Sequence, residues 1–367
     1  MNPLQRLRQY GQSPWLDFIQ RSFVTDGSLQ KLIDEDGIVG VTSNPAIFEK
    51  AILGSADYDD LIVSLTGEGK SAADIYDHLS IEDVGMAADL FKDVYEETKG
   101  LDGYVSLEVS PHLADDTEGT IADARRLWKA LNRPNVMIKV PATPAGVPAI
   151  KALIADGINI NVTLLFSVER YREVALAYIE GLEQRASKGL DLRVASVASF
   201  FVSRVDTMLD PILEEKGDLT SQALIGQVAI ANSYVAYGEF EELFGSERFK
   251  ELENKGAWVQ RLLWASTSVK NPAYSPVKYA DALVGQHTVD TLPLETIIAY
   301  REQGDPADRL SGSLPNARIT MSQLETVGIN IEEIAEKLEK EAIDKFVQPF
   351  DKLISAIESK RESVVVG

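Results

Sequence analysis

The chain has no cysteine among its 367 residues, so disulfides, thiolate metal sites and cysteine nucleophiles are all excluded. Histidine is almost as scarce. His78, His112 and His287 are the only three. No two of them stand at metal-ligand spacing, and Ser110-Pro111 argues against a helix that would pair His112 with Glu108. Positive charge is short as well: 36 Lys and Arg against 57 Asp and Glu leave a net charge of −21, which repels nucleic acid and anionic membrane surfaces. Any anionic ligand must therefore be held by local cations working against the global field. No apolar run reaches membrane-spanning length, and Met1 to Tyr10 lack the apolar core of a signal peptide. The chain is expected to be cytoplasmic, with no nucleic-acid or membrane partner.

Apolar residues at 45% and charged residues at 25% are the usage of a soluble globular protein. Eight short runs have strand composition: Trp15–Ile19, Ile38–Thr42, Tyr104–Val109, Val136–Pro141, Ile158–Leu165, Arg193–Phe201, Leu262–Thr267 and His287–Leu292. Helical composition fills the intervals, as in Thr120–Leu131 and Val168–Arg185. Most centres lie roughly 24 to 34 residues apart, the length of one βαβ unit. Two wider gaps, around 45–103 and 205–261, hold extra helical sequence. The pattern predicts a (β/α)₈ TIM barrel with helical insertions. A doubly wound open sheet is the alternative, although no Gly-x-Gly-x-x-Gly fingerprint follows the first strand. From Asn330 a long C-terminal helix is expected, with Asn330 as its cap, Glu333 at the capping-box position and Pro349 kinking or breaking it. No repeat, low-complexity tract or linker marks a second domain, so residues 1–367 read as a single barrel domain.

Lys139 carries the first chemical clue. It lies inside Val136-Met137-Ile138-Lys139-Val140-Pro141, a run apolar enough to be buried on both faces. A buried amine tends to lose its proton and become a nucleophile, which points to Schiff-base chemistry on a carbonyl substrate. A lysine at a strand end with its stem on apolar surface and its head in water fits the same segment. Polar residues recur at period two in the other strands: Thr42 and Asn44, Ser106 and Glu108, Asn161 and Thr163. Each pair shares one face of its strand. With Asp17 and Ser199 they fall at or near C-terminal strand ends, where a barrel keeps its active site. Taken singly, Asn44 before Pro45 reads as a helix cap, Glu108 as a surface carboxylate, Thr163 as a strand threonine and Asp17 as a turn acid. Converging on one mouth, they form the set that a carbonyl-lysine mechanism needs.

The segments Val41-Thr42-Ser43-Asn44-Pro45, Val105-Ser106-Leu107-Glu108-Val109, Met137-Ile138-Lys139-Val140-Pro141-Ala142-Thr143 with Gly146, Asn161-Val162-Thr163-Leu164-Leu165-Phe166-Ser167 and Ala198-Ser199-Phe200-Phe201-Val202-Ser203-Arg204 resemble, in order, the motifs of the transaldolases. The resemblance covers essentially the whole chain. It implies a (β/α)₈ barrel that moves a dihydroxyacetone unit between ketose and aldose phosphates in the pentose phosphate pathway, with phosphorylated sugars as ligands and no cofactor. Lys139 would be the Schiff-base nucleophile and Asp17 the acid/base at the hydroxyl whose deprotonation breaks the carbon–carbon bond. Glu108 and Thr163 would act through a water in imine formation and hydrolysis. Asn44, Asn161 and Ser199 would hold the dihydroxyacetone hydroxyls, Phe201 would wall the pocket and Arg204 would bind phosphate. Where many members carry a second phosphate-binding arginine, this chain has Trp264-Ala265-Ser266-Thr267-Ser268-Val269-Lys270, similar to a longer subgroup, and Ser266, Ser268 and Lys270 are the substitutes. Lysine offers a point charge where arginine gives a fork. Two other readings stay open: a fructose-6-phosphate aldolase, for which Gln and Tyr are usual in place of Glu108 and Phe201, and a non-catalytic phosphosugar-binding barrel. Monomer and homodimer are both compatible with the sequence.

Overall fold

A computed structural model describes residues 1–366, with side chains through residue 363. Eight strands, β1 (Gln12–Asp17), β2 (Gly40–Thr42), β3 (Tyr104–Glu108), β4 (Val136–Pro141), β5 (Ile160–Leu165), β6 (Ser196–Phe201), β7 (Arg261–Ala265) and β8 (Thr288–Leu292), pair in sequence order into a closed barrel. Every pair is parallel, and β8 closes on β1 with Gln12 opposite Thr288. The open-sheet alternative is thereby set aside. Helices cover the outside, so both faces of the strands are buried and the strands read as nearly continuous apolar runs.

Most strands begin or end within a few residues of the apolar runs, and the departures have local causes. β1 starts at Gln12, not Trp15. Gln12 is buried, and its Nε2 donates to the Leu283 carbonyl at 2.7 Å and to Thr288 Oγ1 at 3.1 Å. These bonds satisfy polar residues that no search for apolar runs would include. β1 also stops at Asp17, short of Phe18 and Ile19, so the carboxylate is the last residue of its strand. In β5 the backbone of Leu164 takes a left-handed φ of 62°, and the register to β6 shifts between Val162 and Leu165. Alternation is thus interrupted just after Thr163.

The barrel interior is layered. At its N-terminal end a buried ion pair, Arg261 Nη2 to Asp102 Oδ1 at 3.0 Å, is bridged by Ser13, which accepts from Arg261 and donates to Asp102 at 2.8 Å each. Above it Trp15 and Tyr104 fill the centre, with ring centroids 6.3 Å apart. Gly40 completes this layer, because a Cβ there would lie 2.5 Å from the Trp15 ring. Polar side chains occupy the C-terminal end.

Between β2 and β3 run the helices Pro45–Gly54, Asp59–Gly67, Ala72–Leu90 and Lys92–Glu97; between β6 and β7 run Ser203–Lys216, Leu219–Leu224, Val228–Phe244 and Glu247–Glu253. The helix Ile331–Val366 packs against the first three of these. Asn330 Oδ1 accepts from the Glu332 backbone N–H at 2.9 Å, and no bond returns from Glu333 among the described residues. Pro349 does not break this helix. Phe346 and Leu353, on either side of it, are both buried against the barrel body, and that packing offsets the missing backbone donor. Among the described residues no helix is long and apolar enough to cross a membrane.

Two stability predictions follow from the layers. Gly40→Ala forces a methyl into the Trp15 ring and is expected to cost about 1–3 kcal/mol in chemical denaturation, whereas Gly54→Ala, with nothing within 4 Å of its added carbon, serves as the neutral comparison. On the outer face of β8, burial pushes the Asp290 carboxyl up to about 8, with a hydrogen bond from Thr267 opposing the shift. A raised carboxyl means that the folded state prefers the proton. Its contribution is fully present below the ordinary unfolded value of about 4 and is lost as pH rises through about 8. Asp290→Asn should therefore lose less thermal stability than the parent chain between roughly pH 5 and pH 9; parallel losses in the two proteins would mean that Asp290 titrates elsewhere.

Candidate active site

Strand register sets the centre of the site. Glu108 on β3 stands opposite Lys139 on β4, and Lys139 stands opposite Asn161 on β5. All three point inward from neighbouring strands at one level. Lys139 is 5% exposed, which selects the buried reading of this lysine over the strand-end one. The amine is not isolated, however. Its Nζ lies 3.3 Å from Glu108 Oε2 and donates to the Ser43 carbonyl at 2.9 Å. On the side of the C-terminal helix, the Phe346 ring centroid lies 5.7 Å away.

The two carboxyls near the lysine are both held above the usual carboxylate range. For Glu108 burial is the main cause, opposed by the Lys139 ammonium and reinforced by Asp17. Neither Glu108 oxygen accepts a well-formed hydrogen bond among the described residues. For Asp17 burial again leads, and the Thr42 hydroxyl, which donates to Asp17 Oδ1 at 2.6 Å, opposes it together with Lys139. Thr42 is itself linked to Thr291 at 2.7 Å. Two carboxyls with raised proton affinity in the field of one amine can exchange protons with a bound carbonyl or hydroxyl.

A cavity of about 520 Å³ opens at the C-terminal strand ends. Asp17, Asn44, Lys139, Thr163, Ser199, Phe201, Arg204, Ser266, Ser268 and Lys270 line it. Ten of the residues singled out in the sequence therefore share one concavity. Asn161 and Glu108 do not line this cavity. Asn161 is fully buried beneath it, donating to Ser106 Oγ at 3.1 Å and accepting from Ser199 Oγ at 2.7 Å. Glu108 lines an adjoining cavity of about 540 Å³ outside the barrel, beside Tyr76 and Phe350. Asn44 does cap the helix Pro45–Gly54, its Oδ1 accepting from the Ile47 backbone N–H at 3.0 Å. It holds both positions at once.

Thr163 Oγ1 is buried and has no partner among the described residues, so its hydroxyl is free for a ligand or water. Arg204, at the start of the helix Ser203–Lys216, lies 5.1 Å over the Phe201 ring, and its Nη1 is also buried without a partner among the described residues. Burial lowers the proton affinity of this guanidinium, and Asp17 and Glu341 oppose the shift. Lys270 Nζ donates to Ser268 Oγ at 2.8 Å. Arg204 and Lys270 supply positive charge to one cavity in a protein of net charge −21.

Some lining residues escaped the sequence reading. Thr42 was noted only for its alternation with Asn44, while Lys50, Thr291, Glu295 and Phe346 were not singled out at all. Thr291 follows the same inward alternation along β8 that marked the others. Lys50, Glu295 and Phe346 sit on helices, where nothing in strand periodicity signals them.

A family model described as transaldolase/fructose-6-phosphate aldolase matches residues 14–357. A transaldolase of Trichodesmium erythraeum is 49% identical over 370 aligned residues, covering 98% of this chain and 97% of its own. One of Saccharopolyspora erythraea is 47% identical, with 96% of each chain covered. A protein named transaldolase 2 in Nostoc punctiforme is 46% identical, covering 98% of this chain and 97% of its own. With a match from the first strand into the C-terminal helix and relatives near half identity over almost their full lengths, this chain belongs to the transaldolase/fructose-6-phosphate aldolase family.

Proposed function

We propose that this chain is a transaldolase of the pentose phosphate pathway in the cytoplasm, moving a dihydroxyacetone unit from a ketose phosphate to an aldose phosphate through a Schiff base on Lys139. The observation that carries this reading is Lys139 Nζ facing Glu108 Oε2 at 3.3 Å beside a cavity that also holds Asp17 and the cationic side chains of Lys50, Arg204 and Lys270.

Glu108, whose proton affinity is raised by burial, takes a proton from the Lys139 ammonium. The neutral amine then attacks the ketose carbonyl carbon. The resulting carbinolamine takes back that proton on its hydroxyl and loses water to give an iminium, with Glu108 and Thr163 acting together through that water. Asp17 next removes the proton from the hydroxyl two carbons along. The adjacent carbon–carbon bond breaks, its electron pair enters the iminium as an enamine, and the shortened aldose phosphate departs. Addition of the enamine to a new aldehyde reverses these steps, and water then hydrolyses the imine. Ser199 and Asn44 face the hydroxyls of the three-carbon unit, and Asn161 orients Ser199 from below. Arg204, with its free Nη1, and Lys270 face the phosphate.

Retaining the enamine until an acceptor arrives requires that no proton donor reach its carbon. Phe201 presents an apolar ring at that wall, 5.2 Å from the Phe166 ring, and offers no hydroxyl. This favours transfer over release.

Borohydride reduction with fructose 6-phosphate is expected to leave a three-carbon adduct on Lys139, located by peptide mass spectrometry. Lys139→Arg should form none, because a guanidinium stays protonated. An adduct on Lys151 or Lys270 with Lys139 unmodified would end the proposal. Transfer is tested separately, by coupled assay of glyceraldehyde 3-phosphate with and without erythrose 4-phosphate. Turnover should be fast only with the acceptor present, and Phe201→Tyr should increase the release of free dihydroxyacetone. Equal rates in the two conditions would identify an aldolase instead.

A further inference from the structure

Asp290 is a buried carboxyl that the transfer chemistry does not use. It stands on the face of β8 turned toward the helices and has no exposed surface. An apolar side chain of similar size would fill that position without the cost of burying a polar group. One of its oxygens, Oδ2, has no partner among the described residues. The other accepts from Thr267 Oγ1 at 2.9 Å, and Thr267 is equally buried.

Thr267 lies between two residues that line the cavity, Ser266 and Ser268, in the segment that leaves β7. Ser266 has a left-handed φ of 55°, a conformation that non-glycine residues keep only where their surroundings over-determine it. Ser203 supplies part of that restraint, donating its backbone N–H to the Ser266 carbonyl at 3.0 Å and placing its Oγ 3.1 Å from Ser266 Oγ. The far end of the segment is tied down independently. Tyr279 donates to Asp206 at 2.9 Å, and Tyr274 donates to Asp210 at 2.7 Å. The Thr267–Asp290 bond is therefore a second, fully buried side-chain anchor of the near end, beside the Ser203–Ser266 contact and directly between two residues that line the cavity.

We propose that Asp290, acting through Thr267, is a positioning residue that holds the segment after β7 so that Ser266, Ser268 and Lys270 face the substrate phosphate. The inference rests on the transaldolase reading, with phosphate bound at this side of the cavity. The bond needs only an acceptor oxygen at position 290, and a neutral amide oxygen meets that need as well as a carboxyl oxygen.

The test uses Asp290→Leu, Thr267→Val, Asp290→Asn and the Leu/Val double variant in the full chain. KM is measured for fructose 6-phosphate and for fructose, with glyceraldehyde as acceptor in both cases, and the affinity for inorganic phosphate is read by calorimetry. Asp290→Leu and Thr267→Val should each weaken phosphate and raise KM for fructose 6-phosphate about tenfold, while KM for fructose and kcat stay within about twofold. The double variant should be no worse than either single one. Asp290→Asn should restore affinity to near the parent value. Equal losses on the two sugars, or unchanged phosphate affinity in the folded variants, would overturn the proposal. Should Asp290→Leu fail to fold, Thr267→Val decides alone, since it removes the same bond with almost no change of volume. Borohydride trapping on Lys139 in the parent chain reports the transaldolase reading by itself, and phosphate calorimetry reports this inference by itself.

Discussion

The contact between Lys139 and Glu108 is the constraint around which the mouth of the barrel is arranged. Each ion costs on the order of several kcal/mol to bring out of water, and attraction offsets this only where geometry is fixed. Here the geometry is set by backbone pairing, since Glu108 and Lys139 are direct partners across β3 and β4. The closed ring of strands thus fixes the backbone positions from which the two side chains meet. The Ser43 carbonyl, at the end of β2, adds a third fixed point. The Lys139 amine thus gains its position from the barrel strands, while other side chains that line the cavity lie on the segments beyond β2, β6, β7 and β8.

Much of the architecture was legible because a parallel barrel buries both faces of its strands. Apolar runs such as Val136–Pro141 and polar residues at period two, such as Ser106 and Glu108, report separate consequences of that burial. The reading failed where structure came from paired polar atoms. Gln12 and Ser13 belong to β1 through bonds to Leu283, Thr288 and Asp102, which composition does not encode. Pro349 was expected to kink or break the last helix; it does not break it, because local propensity gives way where both flanks are buried.

The site shows the same division. Strand-borne residues could be gathered from alternation, from the apolar run around Lys139 and from position at strand ends, and the motif resemblance supplied Phe201 and Arg204 on or just after β6. Residues reaching the cavity from helices, Lys50, Glu295 and Phe346, had no comparable mark. Asn161 shows that inward direction does not imply exposure to a ligand. Its amide is engaged by Ser106 and Ser199, and the side chain is fully buried beneath the cavity.

Phe346 joins the cavity from a helix that begins at Ile331, after the eighth strand has ended at Leu292. During synthesis the barrel can close, and its lysine can take its place beside Glu108, before that helix has emerged. For that interval the amine lies in a mouth that lacks one apolar wall. Docking of the last helix is then the step that completes the cavity as well as the fold.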